Sequence, residues 1–201
     1  MRQLVLDIGP RPDPAFENYV AGPNAEALAR LRSLAEGNLR EAIVYLWGEP
    51  GSGRSHLLRA AAKVHPGLVI ADDVEGLDPQ AQQALFVAIN AARDGVAPVA
   101  AAGRSAPAGL TLREDLRTRL AWGLVYQLKP LSDGEKAQHL RAEAARRSLS
   151  LSEEVVGYLL TRFPRDLPSL NGVLDALDRY SLAAKRPVTL PLVREAFEKK
   201  R

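Results

Sequence analysis

The sequence predicts an α/β domain built on a four-stranded, mainly parallel sheet, followed by a small all-helical domain. Three observations lead there. Between Ala42 and Leu128 short apolar runs alternate with helical periods in the order β-α-β-α-β-α-β. A glycine-rich turn, Gly48-Glu49-Pro50-Gly51-Ser52-Gly53-Arg54-Ser55, follows the first of those runs and opens a helix. After Lys129-Pro130 no further apolar strand occurs and only helical periods remain.

Taken in order, residues 1–14 are extended and punctuated by proline, 15–130 make the α/β domain and 131–201 the helical one. The first helical period is Ala25–Ala35, with Asn24 placed to cap it. Apolar runs at 42–47, 67–71, 97–102 and 123–128 read as the four strands, and the periods at 53–64, 79–94 and 112–120 as the helices between them. The second domain reads as helices at 133–147, 152–162 and 168–184 and a short last one at 191–200. Leu57, Leu58, Ala61, Leu85, Phe86, Ile89, Leu159, Phe163, Leu170, Leu174 and Leu177 recur at helical spacing, which assigns them to the core.

Composition narrows the chemistry. With no cysteine and three scattered histidines, disulfides, thiolate metal sites and cysteine nucleophiles are excluded and no zinc-ligand spacing occurs. No run of 18 apolar residues exists and the N-terminus lacks a secretory core, which predicts a cytoplasmic protein without a membrane partner. The 27 Lys+Arg exceed the 24 Asp+Glu by a net +3, but the arginines are dispersed, so charge alone does not indicate nucleic-acid binding.

The turn has the form GxxxxG[K/R]S after a strand and before a helix, which is the context of a phosphate-binding loop. Its glycines let successive N–H groups turn inward, and the helix N-terminus adds partial positive charge. Ser55 is placed to ligate Mg2+, while Arg54 stands where lysine is usual, a planar fork instead of a compact ammonium. The strand at 67–71 ends in Asp72-Asp73. Strand carboxyl ends line the ligand crevice of a parallel sheet, so Asp72 is expected in the Mg2+ shell through water and Asp73 to orient a water.

The segments GEPGSGRSHLL, VIADDVEGLD, LREDLRTRLAWGLVYQLKPLSD and RFPRDLPSLNGVLDALDRYSLAAKRPVTLPLVREAF resemble the AAA+ family, and within it the regulatory inactivators related to the initiator DnaA. The resemblance runs from Gln3 to about Phe197. It implies a regulator that carries ADP (or ATP) and is tethered to the DNA-loaded polymerase sliding clamp, the β subunit. Such a regulator stimulates ATP hydrolysis by DnaA, reaches DNA only through the clamp or nonspecifically, and is nucleoid-associated by that route. The nucleotide-binding set that it implies is Gly48, Pro50, Gly51, Ser52, Gly53, Arg54, Ser55 and His56, with Tyr19 and Val20 beside the adenine.

Three stretches carry the specific role. Gln3, Leu4 and Leu6 resemble the family's clamp-binding peptide, which docks in an apolar groove with glutamine at its rim. Arg119 aligns with an arginine finger offered in trans, although by spacing alone Arg113 and Arg117 are equal candidates. The lid arginine that touches phosphates in the family is replaced by Pro168, with Arg165 on the preceding turn as a substitute, and the polar sensor expected after the third strand is Gly103. Both losses predict that this chain's own ATP hydrolysis is weak or absent, so it is an activator of a partner's ATPase more than an enzyme. The alternative is a stand-alone AAA+ ATPase of DnaA or helicase-loader type. A sequence-reading initiator would need a DNA-reading domain after the lid, for which the tail to Arg201 is too short. Head-to-tail self-association is a tendency of AAA+ surfaces. Finally, only 64–67 separates the loop helix from the acidic strand, where AAA+ sheets usually insert a strand and a helix, so a reduced four-stranded sheet is expected.

Overall fold

The computed structural model describes residues 13–164 and 166–198. They fall into two compact units, one of Pro14–Pro130 and one that takes in Leu131 onward. The first holds a four-stranded sheet of β1 (Ile43–Trp47), β2 (Val69–Ala71), β3 (Val99–Gly103) and β4 (Leu124–Gln127) in the order β2-β3-β1-β4. Every pairing is parallel, with Tyr45 level with Ala101 on one side and Val125 on the other. The expected reduced sheet is therefore present, and β2 is an edge strand of three residues.

Helices α1 (Ala25–Ala35), α2 (Arg54–Val64), α3 (Pro79–Arg93) and α4 (Glu114–Leu120) cover the sheet. Two apolar clusters lie on its two faces, as expected for a parallel sheet buried on both sides. Leu31, Val44, Leu46, Leu57, Leu58 and Ala100 belong to one, and Ile43, Tyr45, Leu85, Ile89, Val99 and Leu116 to the other. Short 3₁₀ turns at Phe16–Asn18, Gly22–Asn24, Val74–Gly76 and Pro107–Gly109, which the sequence reading leaves as loop, complete the connections.

Two expectations change. Asn24 precedes α1 but makes no side-chain cap. Its buried amide accepts from the Lys129 N–H at 2.8 Å and donates to the Lys129 carbonyl at 2.9 Å, tying the start of the unit to the end of β4. Phe86 and Phe163, both expected in the core, are only partly buried; Phe86 lies at the rim of the apolar stripe of α3 and its ring carries arginines, described below, and Phe163 follows the end of α6 and packs edge-on against Phe197.

The second unit consists of α5 (Asp133–Arg146), α6 (Glu153–Arg162), α7 (Leu167–Ala184) and α8 (Leu190–Glu198) around Leu140, Val155, Leu159, Leu170, Leu174 and Leu177. Its helices start where the sequence supplies caps. Ser132 and Glu135 form a reciprocal capping box on α5, Ser152 caps α6, and Asp166 accepts from the Ser169 N–H at 2.9 Å on α7. Pro168 is the second residue of α7, where a missing N–H costs nothing.

Candidate functional site

The turn between β1 and α2 leaves the sheet at the end where its strands finish, the end that also carries Asp72-Asp73 after β2 and Gly103 as the last residue of β3. Gly53 is the N-cap of α2 at φ +94°, and a Cβ there would lie 2.5 Å from the Tyr19 ring. Only glycine meets both demands. Tyr19 lies across the loop, donating its hydroxyl to the Ser52 carbonyl at 3.1 Å while accepting from the Asn24 amide at 3.1 Å. Burial raises the Tyr19 phenol above its ordinary pKa, offset in part by the Asn24 hydrogen bond. His56, on the first turn of α2, sits 5.7 Å from the Tyr19 ring centre, and its Nε2 lies 2.9 Å from the Ala15 carbonyl. That geometry requires an N–H on Nε2, so His56 anchors the N-terminal segment over the loop.

Arg54 is the informative residue. It is 8% exposed, and its Nη2 pairs with Asp73 Oδ1 at 3.1 Å. Its Nη1 and the Ser52 Oγ are buried with no hydrogen-bond partner among the described residues. A buried guanidinium arm without an acceptor costs free energy unless an anion meets it. At the N-terminus of an eleven-residue helix with no side-chain cap, the chemistry of these donors fits a phosphate. Gly48, Pro50 and Gly51 form the rest of the loop, with Gly48 buried and the other two exposed. Ser55 follows Arg54 in the first turn of α2, and Val20 lies partly exposed next to Tyr19.

The acids are arranged differently from each other. Asp73, in the left-handed region at φ 44°, directs its carboxylate to Arg54, whereas Asp72 Oδ1 accepts the Asp73 N–H at 3.0 Å. No cluster of three metal-ligating side chains exists among the described residues. At the end of β3 the missing sensor has a steric reason that the sequence does not reveal. A Cβ on Gly103 would lie 2.3 Å from the Tyr45 hydroxyl and 2.8 Å from Glu75 Oε2. Tyr45 donates to the Ser105 carbonyl at 2.8 Å, and burial first and Glu75 second push its phenol far above the usual range.

Arg119 lies at the other end of the sheet, just before the turn into β4. Its guanidinium stands 4.1 Å from the Phe86 ring centre and 4.9 Å from that of Trp122. Nε donates to Asn90 Oδ1 at 2.9 Å and Nη1 to the Asp115 carbonyl at 3.1 Å, leaving Nη2 without a hydrogen bond among the described residues. Arg113 is committed elsewhere, to Gln83 and to Asp115, each at 2.7 Å. That contact holds the Asp115 carboxyl below the ordinary carboxylate range. Arg117 is partly exposed on the same helix. Phe86, Asn90 and Trp122 hold Arg119 in place, a role that the sequence does not assign to them. The i, i+4 spacing of Phe86 and Asn90 on α3 was the available signal.

A family model of the Hda lid domain matches residues 133–197. An uncharacterised protein of Haemophilus influenzae is 30% identical over 226 residues, covering 96% of this chain and 97% of its own. The chain belongs to the Hda-related branch of the AAA+ proteins. Its fold is that of domain III of the Thermotoga maritima initiator DnaA, with a TM-score of 0.71 at 21% identity, covering 94% of this chain and 97% of that one. A DnaA structure bound to AMPPCP and single-stranded DNA is similar too, with a TM-score of 0.69 at 18% identity over 94% of this chain and 69% of that one. The lid model thus covers the capped helical bundle, and the DnaA likeness gives the fold of the sheet that precedes it. Gln3, Leu4 and Leu6 of the expected clamp peptide, and Arg165, lie outside the described residues. No described helix is long and apolar enough to cross a membrane.

Proposed function

We propose that the chain is a negative regulator of replication initiation that stimulates ATP hydrolysis by DnaA, lending Arg119 in trans while tethered to the DNA-loaded clamp through Gln3, Leu4 and Leu6. The observation that carries this reading is the position of Arg119. It sits where β4 begins, whereas the chain's own phosphate loop sits where β1 ends. A five-residue strand spans about 16 Å, more than an arginine side chain reaches, so Arg119 is out of reach of its own loop, as a finger offered in trans would be. Phe86, Trp122, Asn90 and the Asp115 carbonyl hold the guanidinium in one orientation, which is what a charge aimed at a transferring phosphoryl group requires.

The chain's own loop is a binding site in this reading. Arg54, Ser52 and the α2 N-terminus would hold the phosphates of ADP, Tyr19 and Val20 would flank the adenine, and Ser55 with Asp72 would hold Mg2+. Bound ADP would supply the negative charge that satisfies Arg54 Nη1. Three features keep hydrolysis low: Asp73 is committed to Arg54, Gly103 has no side chain, and Pro168 stands where a cation is expected. The test is a reconstitution that measures ATP turnover by this chain alone, by DnaA alone, by the two together, and by both with clamp loaded on DNA. Turnover confined to the complete mixture supports the proposal. Robust turnover by the isolated chain overturns it in favour of a stand-alone ATPase.

A further inference from the structure

Next to Arg119, at the end of the sheet where the strands begin, the α/β unit carries a groove of about 480 Å³ bordered by Arg40, Glu41, Arg93 and Trp122 over a floor of Ala42 and Ile43. Trp122 is 44% exposed, large for a tryptophan in a folded unit. Its ring carries two guanidinium groups, Arg93 at 5.0 Å and Arg119 at 4.9 Å, so one side chain positions the finger and the groove together. Among the described residues neither Arg40 nor Arg93 forms an ion pair, and Glu41 is the one acid on the border.

We propose that this groove docks an acidic segment of the protein whose nucleotide Arg119 addresses, with a carboxylate received by Arg40 and Arg93 and an apolar neighbour set against Trp122. The proposal rests on the reading of Arg119 as a finger in trans. Unpaired guanidinium groups at a concave site favour a carboxylate, which they can grip through paired N–H donors. A nucleic-acid strand would need a longer basic track, and Glu41 on the border would repel phosphates. A convex acidic segment entering here would also set the register of the partner, which a single finger residue cannot do by itself.

The experiment measures the rate of DnaA-bound ATP hydrolysis, with clamp loaded on DNA, as a function of the concentration of this chain. Arg93→Ala and Arg40→Ala should each raise the half-saturating concentration about fivefold to twentyfold while the plateau rate stays within about twofold, because they act on docking and not on the reacting phosphate. Arg93→Lys should recover part of that loss, and Glu41→Gln should lower the half-saturating concentration. Arg119→Ala should instead collapse the plateau. Stimulation that needs Arg119 but is indifferent to Arg40, Arg93 and Glu41 overturns the groove and leaves the finger standing. Stimulation that survives Arg119→Ala, or none from the wild-type chain, overturns the function reading and the groove with it. If Arg93→Ala weakens single-stranded DNA binding while the half-saturating concentration for DnaA stays put, the groove belongs to nucleic acid and the proposal fails.

Discussion

Replacing Gly103 by alanine tests why this chain lacks a polar sensor. The added methyl would stand 2.3 Å from the Tyr45 hydroxyl, 2.8 Å from Glu75 Oε2 and 3.1 Å from Val74 Cγ2. The first of these falls short of ordinary contact by about 1 Å. Glu75 can swing away, since its side chain is 26% exposed. Tyr45 cannot, because its ring is fully buried and its hydroxyl is fixed on the Ser105 carbonyl at 2.8 Å. Overpacking of this kind costs about 1–3 kcal/mol, which for a chain of this size lowers Tm by roughly 3–10 °C. Tyr45→Phe removes the obstructing oxygen and, by itself, costs about 0.5–1.5 kcal/mol for the lost hydrogen bond. Thermal and urea unfolding of the two single variants and the double variant would measure the coupling. In the Tyr45→Phe background the cost of Gly103→Ala should fall to about 1 kcal/mol or less. If Gly103→Ala is as stable as the wild type, or equally costly in both backgrounds, the steric account of the missing sensor is wrong.

Other consequences can be checked directly. Arg54→Ala should weaken ADP binding by about tenfold to a hundredfold in calorimetric titration, the worth of a buried charge-assisted contact. Asn24→Ala should destabilise the α/β unit by about 1–3 kcal/mol in urea unfolding, because it strands the Lys129 N–H and carbonyl. The Glu135 carboxyl is held below the usual carboxylate range by its hydrogen bonds from Ser132. Its contribution to α5 is therefore complete above the ordinary carboxylate pKa and is lost as the pH falls through the lowered value. Melting curves between about pH 5 and about pH 2 should show that loss, and Ser132→Ala should flatten it. Leu4→Ala with Leu6→Ala should abolish retention on clamp-loaded DNA in a sedimentation or surface assay.

The architecture was legible because it rests on periodicity. Four apolar runs and the helices between them reappear within a residue or two of their expected ends, and Ser132, Ser152 and Asp166 start their helices as capping chemistry dictates. The turn between β1 and α2 was legible because Gly51 and Gly53, at positive φ, answer to a backbone demand that a spacing can encode. What the sequence concealed depends on tertiary contact. Asn24 looked like a cap because it precedes a helix, yet Lys129, far along the chain, offers it an N–H and a carbonyl together. Phe86 carries the spacing of a core residue, and only the approach of Arg113 and Arg119 from α4 shows it to be half surface. Arg113, Arg117 and Arg119, at the start of one short helix and along it, are equal in sequence. They are told apart because Arg119 lies against both Phe86 and Trp122, whereas Arg113 is spent on the Asp115 carboxylate and Gln83.

The central claim is that Arg119 acts on a phosphate held by another protein. Its most direct test is the single-turnover rate of DnaA-bound ATP at saturating wild-type chain, compared with Arg119→Ala that still sediments with the loaded clamp. The account predicts a fall of about 10³-fold with Arg119→Ala, and little change with Arg117→Ala on the same helix. A plateau rate that Arg119→Ala leaves intact, or one that Arg117→Ala abolishes, would contradict it.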